Sequence, residues 1–158
     1  MKQPERRSRD ARPVRALRSV KHLYVTAERN SVMTVINTKN APAAIGPYVQ
    51  GVNTGKMVMT SGQLPVDPLT GMMSAAIEVQ TFQSLENVRA IVEAAGLTVA
   101  NIMKTTVFVK DLNDFSAVNV VYEAFFTKYG APFPARSCIE VARLPKDAKI
   151  EIEAIAVA

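Results

Sequence analysis

The chain is poor in the residues that make disulfides, metal sites and nucleophile–histidine pairs. It has a single cysteine, Cys138, a single histidine, His22, and no tryptophan. One cysteine excludes an internal disulfide and a cysteine-based zinc site, and it suits a reducing cytoplasm. The histidine lies in the N-terminal segment. Residues 33–158 therefore hold none for a Ser-His or Cys-His pair and no cluster of the usual transition-metal ligands. No apolar run reaches the ~20 residues that a membrane helix needs, so no membrane span is expected. No secretory apolar region is present either.

Positive charge is missing from most of the chain despite a formal net charge of +5. Residues 1–32 carry nine Lys/Arg and three Asp/Glu, a surplus of six, which leaves residues 33–158 at −1. That remainder shows no basic patch with interleaved aromatics, so nucleic-acid binding is not expected of it. Residues 1–32 form an Arg-rich extension with no apolar period before Leu23-Tyr24-Val25, expected to be disordered or loosely helical. An organelle transit peptide would be richer in serine and free of acids. A basic arm for nucleic acid or membrane is a second reading. The favoured reading is a start upstream of the natural one, with Met33 opening a single domain over 33–158.

Within that domain, Thr34–Asn37, Tyr48–Asn53, Lys56–Gln63, Ile102–Lys110, Ala135–Ala142 and Lys149–Ala156 read as strands. Ala75–Ala95 reads as a helix with Phe82, Leu85, Val88, Val92 and Ala95 on one stripe, stopped by Gly96. A second helix, capped by Asn113 or Asp114, carries Phe115, Val118, Tyr122, Phe125 and Tyr129 on its stripe and ends at Gly130. Two helices and about six strands predict an α+β fold, a mixed sheet with both helices on one face. The opposite face would present Phe108, Cys138, Ile155 and Val157, which predicts association between subunits.

The fifth of these strands is flanked by Pro134 and Pro145, and its residues alternate with period two. Ala135, Ser137, Ile139 and Val141 point one way; Arg136, Cys138, Glu140 and Ala142 point the other. A guanidinium on such a face needs an anion. That anion is either Glu140, Glu151 or Glu153 of the same chain, or a ligand carboxylate held bidentately. Glu151 and Glu153 share one side of the last strand, where a carboxylate in a partly enclosed cleft could polarise water. Cys138, without a histidine beside it, reads as a small buried hydrophobe and not a nucleophile. Tyr48 can line a pocket or sit in the core, and Gly62 after Ser61 would let backbone approach a ligand. Asn119 falls beside the second helix's apolar stripe, where a buried amide needs partners. Lys104 reads as a surface or interface charge, with nothing beside it to mark a Schiff-base lysine.

Five runs give the chain from about Met33 to Ala158 a resemblance to a known family: Asn40–Tyr48 (NAPAAIGPY), Thr60–Gln63 (TSGQ), Lys104–Leu112 (KTTVFVKDL), Pro134–Cys138 (PARSC) and Lys149–Ala154 (KIEIEA). Together they resemble the Rid (reactive intermediate deaminase, YjgF) family, and its bacterial RidA branch in particular. One departure is Met72-Met73 after Thr70-Gly71, where the family pattern usually places an acid.

The resemblance implies a chorismate-mutase-like fold and a homotrimer with active sites in the clefts between subunits. It also implies cytoplasmic hydrolysis of 2-imino acids and their enamines to 2-oxo acids and ammonia, without metal or organic cofactor. It makes Arg136 the carboxylate-binding arginine and Glu151 the water-positioning glutamate. Tyr48, Ser61, Gly62, Asn119 and Cys138 become substrate-binding residues, Cys138 through its main chain. Two other classes of function stay open: a non-catalytic 2-oxo acid binding module, and an RNA-binding or ribonuclease activity.

Overall fold

A computed structural model describes residues 33–158; the basic extension at 1–32 lies outside the described residues. Six strands and two α-helices follow one another along the chain. They are β1 (Thr34–Ile36), β2 (Gly51–Asn53), β3 (Met57–Thr60), α1 (Ile77–Ala94), β4 (Ile102–Val109), α2 (Phe115–Lys128), β5 (Ala135–Glu140) and β6 (Ile150–Val157). The sheet order is β1-β2-β3-β6-β4-β5. All neighbours are antiparallel except β4 and β5, which run parallel because α2 carries the chain back between them. The expected α+β architecture is what the chain adopts.

Alternation along the central strands builds the core. Ile150, Ile152, Ala154 and Ala156 of β6 and Thr105, Val107 and Val109 of β4 are buried on the helix-covered face, under Leu85, Val88, Ile91, Val92, Phe125 and Phe126. The other face carries Val35, Met57, Met59, Ile139 and Val157, all more than a third exposed. Gly96 (φ +82°) and Gly130 (φ +58°) terminate the two helices in the left-handed conformation, as their positions predict.

Several details differ from the sequence reading. A register shift between Ile102 and Lys104 turns Ile102 inward and leaves Met103 exposed, against the strict alternation expected of β4. Cys138 does not join the open face. It pairs with Val107 across β4–β5 and packs against the helix-side core. Phe82 lies at the margin of the core, edge-on to Phe125 at 6.2 Å, while Thr81, Ser84 and Asn87 are fully buried on α1. The turn before α2 is capped by Asp111, whose side chain accepts from the Asn113 amide at 2.8 Å; neither Asn113 nor Asp114 makes that cap.

The strand expected at Tyr48–Asn53 shortens to Gly51–Asn53, because the residues before it serve other bonds. The buried Gln50 carboxamide donates to the carbonyls of Thr38 (3.0 Å), Ala41 (3.1 Å) and Pro42 (2.8 Å) and accepts from the Thr38 amide at 2.7 Å. One side chain thus ties down the Pro/Ala-rich loop that leads to Tyr48. Gln50→Ala leaves those backbone groups unpaired and should cost about 2–3 kcal/mol in denaturant unfolding.

Candidate active site

Two open clefts hold the candidate residues, and they lie on different parts of the chain. The first, about 580 Å³, is lined by Ile45, Tyr48, Thr60, Ser61, Gly62, Leu64, Pro145, Glu151 and Glu153. The second, about 540 Å³, is lined by Asn119, Tyr122, Glu123, Phe133, Pro134 and Arg136. Sheet geometry dictates the separation. Glu151 lies opposite Phe108 on the open face, whereas Arg136 lies opposite Thr105 on the helix side at the edge of the sheet.

The first cleft begins with an irregularity between β3 and β6. Met59 pairs with Ile155, and Gln63 rejoins β6 at Ile152, so the intervening segment has one residue more than its partner. The Thr60 hydroxyl fills the gap by accepting from the Ala154 amide at 3.0 Å. The extra length takes Ser61 and Gly62 out of the ladder with β6 and brings Gly62 against the Glu151 side chain. Ser61 is held by its hydroxyl, which donates to the Val49 carbonyl at 2.5 Å, and by its amide, which donates to Gln50 at 2.8 Å. Tyr48 leans over the loop, with its phenol oxygen accepting from the Ile45 amide at 3.1 Å.

Glu151 is half-buried and makes no hydrogen bond or ion pair among the described residues. Burial, then the charge of nearby Glu153, push its carboxyl above the usual carboxylate range. Beside this cleft Lys146 and Asp147 both adopt positive φ (56° and 54°), and Arg143 closes the turn through an exposed ion pair to Asp147 at 2.8 Å. Two successive non-glycine residues in that region mark a strained turn, a feature that clusters at functional sites.

In the second cleft the Arg136 guanidinium rests on two rings, 4.8 Å from the centroid of Tyr122 and 5.5 Å from that of Phe115. It forms no ion pair and no side-chain hydrogen bond among the described residues. The contrast with Arg89 is sharp. That guanidinium lies in a groove of about 610 Å³ along α1, already paired with Glu86 at 2.6 Å and Glu93 at 2.7 Å. Arg136 is therefore not the structural ion pair that Glu140, Glu151 or Glu153 could have made. Glu140 accepts instead from the Leu112 amide at 2.8 Å.

Asn119 lines the same cleft as Arg136 and is half-buried, its amide without a hydrogen bond among the described residues. Cys138 sits two residues further along the same face, beyond the cleft lining. Burial raises its thiol pKa, against the opposing Arg136 charge, so it stays protonated at neutral pH. Lys104 donates to the Ser137 hydroxyl at 2.7 Å on the open face, in a small cleft that it shares with Glu153. No three His, Cys, Asp or Glu side chains come together as a metal site among the described residues. The sequence reading missed Tyr122 and Phe115 as supports of Arg136; both were assigned to the helix stripe, whose residues i and i+7 they are.

Residues 38–158 match the family model described as Endoribonuclease L-PSP. The chain belongs to that family. The 2-iminobutanoate/2-iminopropanoate deaminase of Salmonella typhimurium is 73% identical over 122 residues, 77% of this chain and 95% of that protein. The structure of the Escherichia coli YjgF gene product matches with 69% identity and a TM-score of 0.78, covering 78% of this chain and 98% of that one. E. coli TdcF with bound serine matches with 60% identity and a TM-score of 0.78, over 79% and 98% of the two chains. The Rid resemblance carried by the five sequence runs is thereby borne out.

At Gly62 the Glu151 side chain folds down against bare backbone. An added Cβ would run into the Glu151 carboxylate, with Oε1 nearest and Cδ at 2.8 Å. Gly62→Ala should make the Glu151 carboxylate, the free end of a flexible side chain, swing aside, at a cost of no more than about 1 kcal/mol. In a Glu151→Ala background most of that cost should vanish, since the atoms met all belong to Glu151. Thermal unfolding of the four proteins in the cycle measures both quantities.

Proposed function

We propose that this chain hydrolyses short 2-imino acids and their enamine tautomers to 2-oxo acids and ammonia. The observation that carries the reading is Arg136: a guanidinium held on aromatic faces, facing an open cleft, with no carboxylate of its own chain among the described residues. Such a group is suited to clasp a substrate carboxylate through two parallel N–H···O bonds. The names of the relatives, a 2-iminobutanoate/2-iminopropanoate deaminase among them, support the same chemistry.

In this reading Arg136 fixes the carboxylate and so locates the C=N carbon. An enamine is first protonated at carbon to give the imine. Glu151, on the far side of the substrate, orients a water and accepts its proton as oxygen bonds to that carbon. Glu151 returns that proton to nitrogen and then carries the hydroxyl proton of the tetrahedral intermediate to it, so the C–N bond breaks with ammonia leaving, C=O forms, and imine plus water balance 2-oxo acid plus ammonia. Imines hydrolyse readily, and positioning with modest acid–base help suffices. Tyr48, Ser61 and Gly62 line the Glu151 side and Asn119 the Arg136 side, while Cys138, two residues beyond Arg136, contributes through its main chain.

Arg136 and Glu151 occupy separate clefts of one chain, so their joint action needs two chains. A homotrimer packed through the open sheet face, with each site at a subunit boundary, supplies that arrangement, and the apolar Val35, Met57, Met59, Ile139 and Val157 support it. The domain over 33–158 contains every residue the reaction uses. We place the reaction in the cytoplasm, which the lone cysteine suits. The family model's description favours RNA cleavage as the second reading. Against it stand the −1 charge and the lack of histidine over residues 33–158.

Enamine generated by a serine or threonine dehydratase tests the proposal. Arg136→Ala should lower kcat/KM about 100-fold, and Glu151→Ala should lower kcat about 100-fold or more while 2-oxobutanoate still binds. A pure binding module would show no turnover to lose. Co-refolding the two inactive variants one to one should restore about a quarter of wild-type activity, because a quarter of boundaries pair an intact arginine with an intact glutamate. No recovery would place both residues in one chain's site or outside the mechanism.

Glu151 must be ionised to act on water, and burial and Glu153 both oppose its ionisation. Activity should therefore fall with acid at a higher pH than an ordinary glutamate would give. Glu153→Gln removes the like charge and should move that acid limb of kcat/KM to lower pH.

A further inference from the structure

Beneath Arg136 lies a buried pair of hydroxyls that the proposed reaction does not use. Thr105 is fully buried on β4, directly opposite Arg136 in the parallel register. Tyr122 reaches it from α2, and the two hydroxyl oxygens are 2.6 Å apart. The Tyr122 ring also packs against Phe126, tilted by 39° with centroids 4.8 Å apart.

A threonine at this core position needs explanation. Its neighbours along the strand's buried face are Val107 and Val109, and a valine would fill the same volume without a hydroxyl to satisfy. Phenylalanine would likewise fill the place of Tyr122. Replacing both members of such a pair by apolar groups of the same shape is close to neutral for stability. What the hydrogen bond adds is orientation. It ties the end of the Tyr122 ring to the sheet, which sets the plane on which the guanidinium lies. Phe115, the second ring, is partly exposed and has no polar handle with which to hold a fixed plane. The phenol pKa is raised, chiefly by burial, against the Thr105 bond and the Arg136 charge, so Tyr122 is neutral and keeps its proton for the bond.

We infer that Thr105 and Tyr122 are positioning residues for Arg136: their hydrogen bond fixes the aromatic platform that presents the guanidinium's two N–H groups to a substrate carboxylate. The inference rests on the carboxylate-clasp reading of Arg136 given above. It predicts an effect on carboxylate binding that is separate from stability and from the chemical step.

The test uses the full chain with Tyr122→Phe, Thr105→Val, Thr105→Ser, the Tyr122→Phe/Thr105→Val double variant, and Arg136→Ala. Three quantities are measured: KM and kcat on dehydratase-generated imine, affinity for 2-oxobutanoate by calorimetry, and the melting temperature. Tyr122→Phe and Thr105→Val should each raise KM and weaken 2-oxobutanoate about 3- to 10-fold while kcat stays within about twofold. The double variant should match either single one, because one bond is lost in all three. Thr105→Ser, which keeps the hydroxyl, should bind as the wild type does. The binding losses should not follow the order of melting temperatures.

If Tyr122→Phe and Thr105→Val bind like wild type while Arg136→Ala loses binding, the pair is core packing only and the clasp stands without it. Losses that add in the double variant, or a Thr105→Ser as weak as Thr105→Val, also overturn the pairing. If Arg136→Ala itself keeps full affinity, the carboxylate clasp fails and the positioning role falls with it.

Discussion

The pleat of the β4–β5–β6 sheet governs everything that follows from this structure. Side chains alternate with period two, and neighbouring strands in register point matching residues the same way. That rule sends Glu151, Glu153 and Ile155 to the open face and Arg136 and Cys138 to the helix side. A guanidinium and a carboxylate on opposite sides of one sheet cannot neutralise each other. The same geometry that keeps them apart in one chain leaves both available for a small molecule held between chains. Under the proposed function, assembly is thus part of the site and not an addition to it.

In the proposed site the two side chains are kept available by opposite devices. Among the described residues Arg136 is supported without being paired: aromatic faces attract the cation without occupying its N–H edges. Arg89 shows what the alternative looks like, with both terminal nitrogens spent on Glu86 and Glu93. Glu151 is made basic by deprivation. It sits over Gly62, short of hydrogen-bond donors, next to a like charge, in a partly buried place. Burial first, and then the Glu153 charge, raise the carboxylate's affinity for a proton. Local inconsistency of this kind is expected where chemistry happens.

Much of this was legible in the sequence, and the reason is periodicity. The residues of β4, β5 and β6 alternate cleanly enough to place Arg136, Cys138 and Glu140 on one face, and Gly96 and Gly130 mark helix ends through their conformational freedom. What periodicity cannot carry is which face is which. Cys138 was assigned to the open face because the parallel register with β4, set by the α2 crossover, is a tertiary fact. The bulge at Met103 breaks alternation by one residue and is invisible to a pattern that assumes none. Gln50, Gln80 and Asn87 escaped notice because buried amides resemble surface ones until their loops are in place. Gln80 accepts from the Lys149 amide, 69 residues away, and Asn87 donates to Leu64 and Val66.

These buried amides have a consequence for how the site is built. The cleft around Glu151 is bounded mainly by loop, not by regular elements: residues 45–48, 60–64 and Pro145. Loops hold a catalytic geometry only if their backbone polar groups are bound to something rigid. Gln50 anchors 38–42, Asn87 on α1 anchors 64–66, and Thr60 and Gln63 lock the bulge to β6. A core made wholly of aliphatic side chains would pack as well, but it would leave those loops unattached. The polar residues that depart most from a helix or strand stripe are therefore the ones that connect the fold to its cleft. Their burial is compensated because the Gln50 carboxamide and the Asn87 side-chain nitrogen each bond loop backbone atoms.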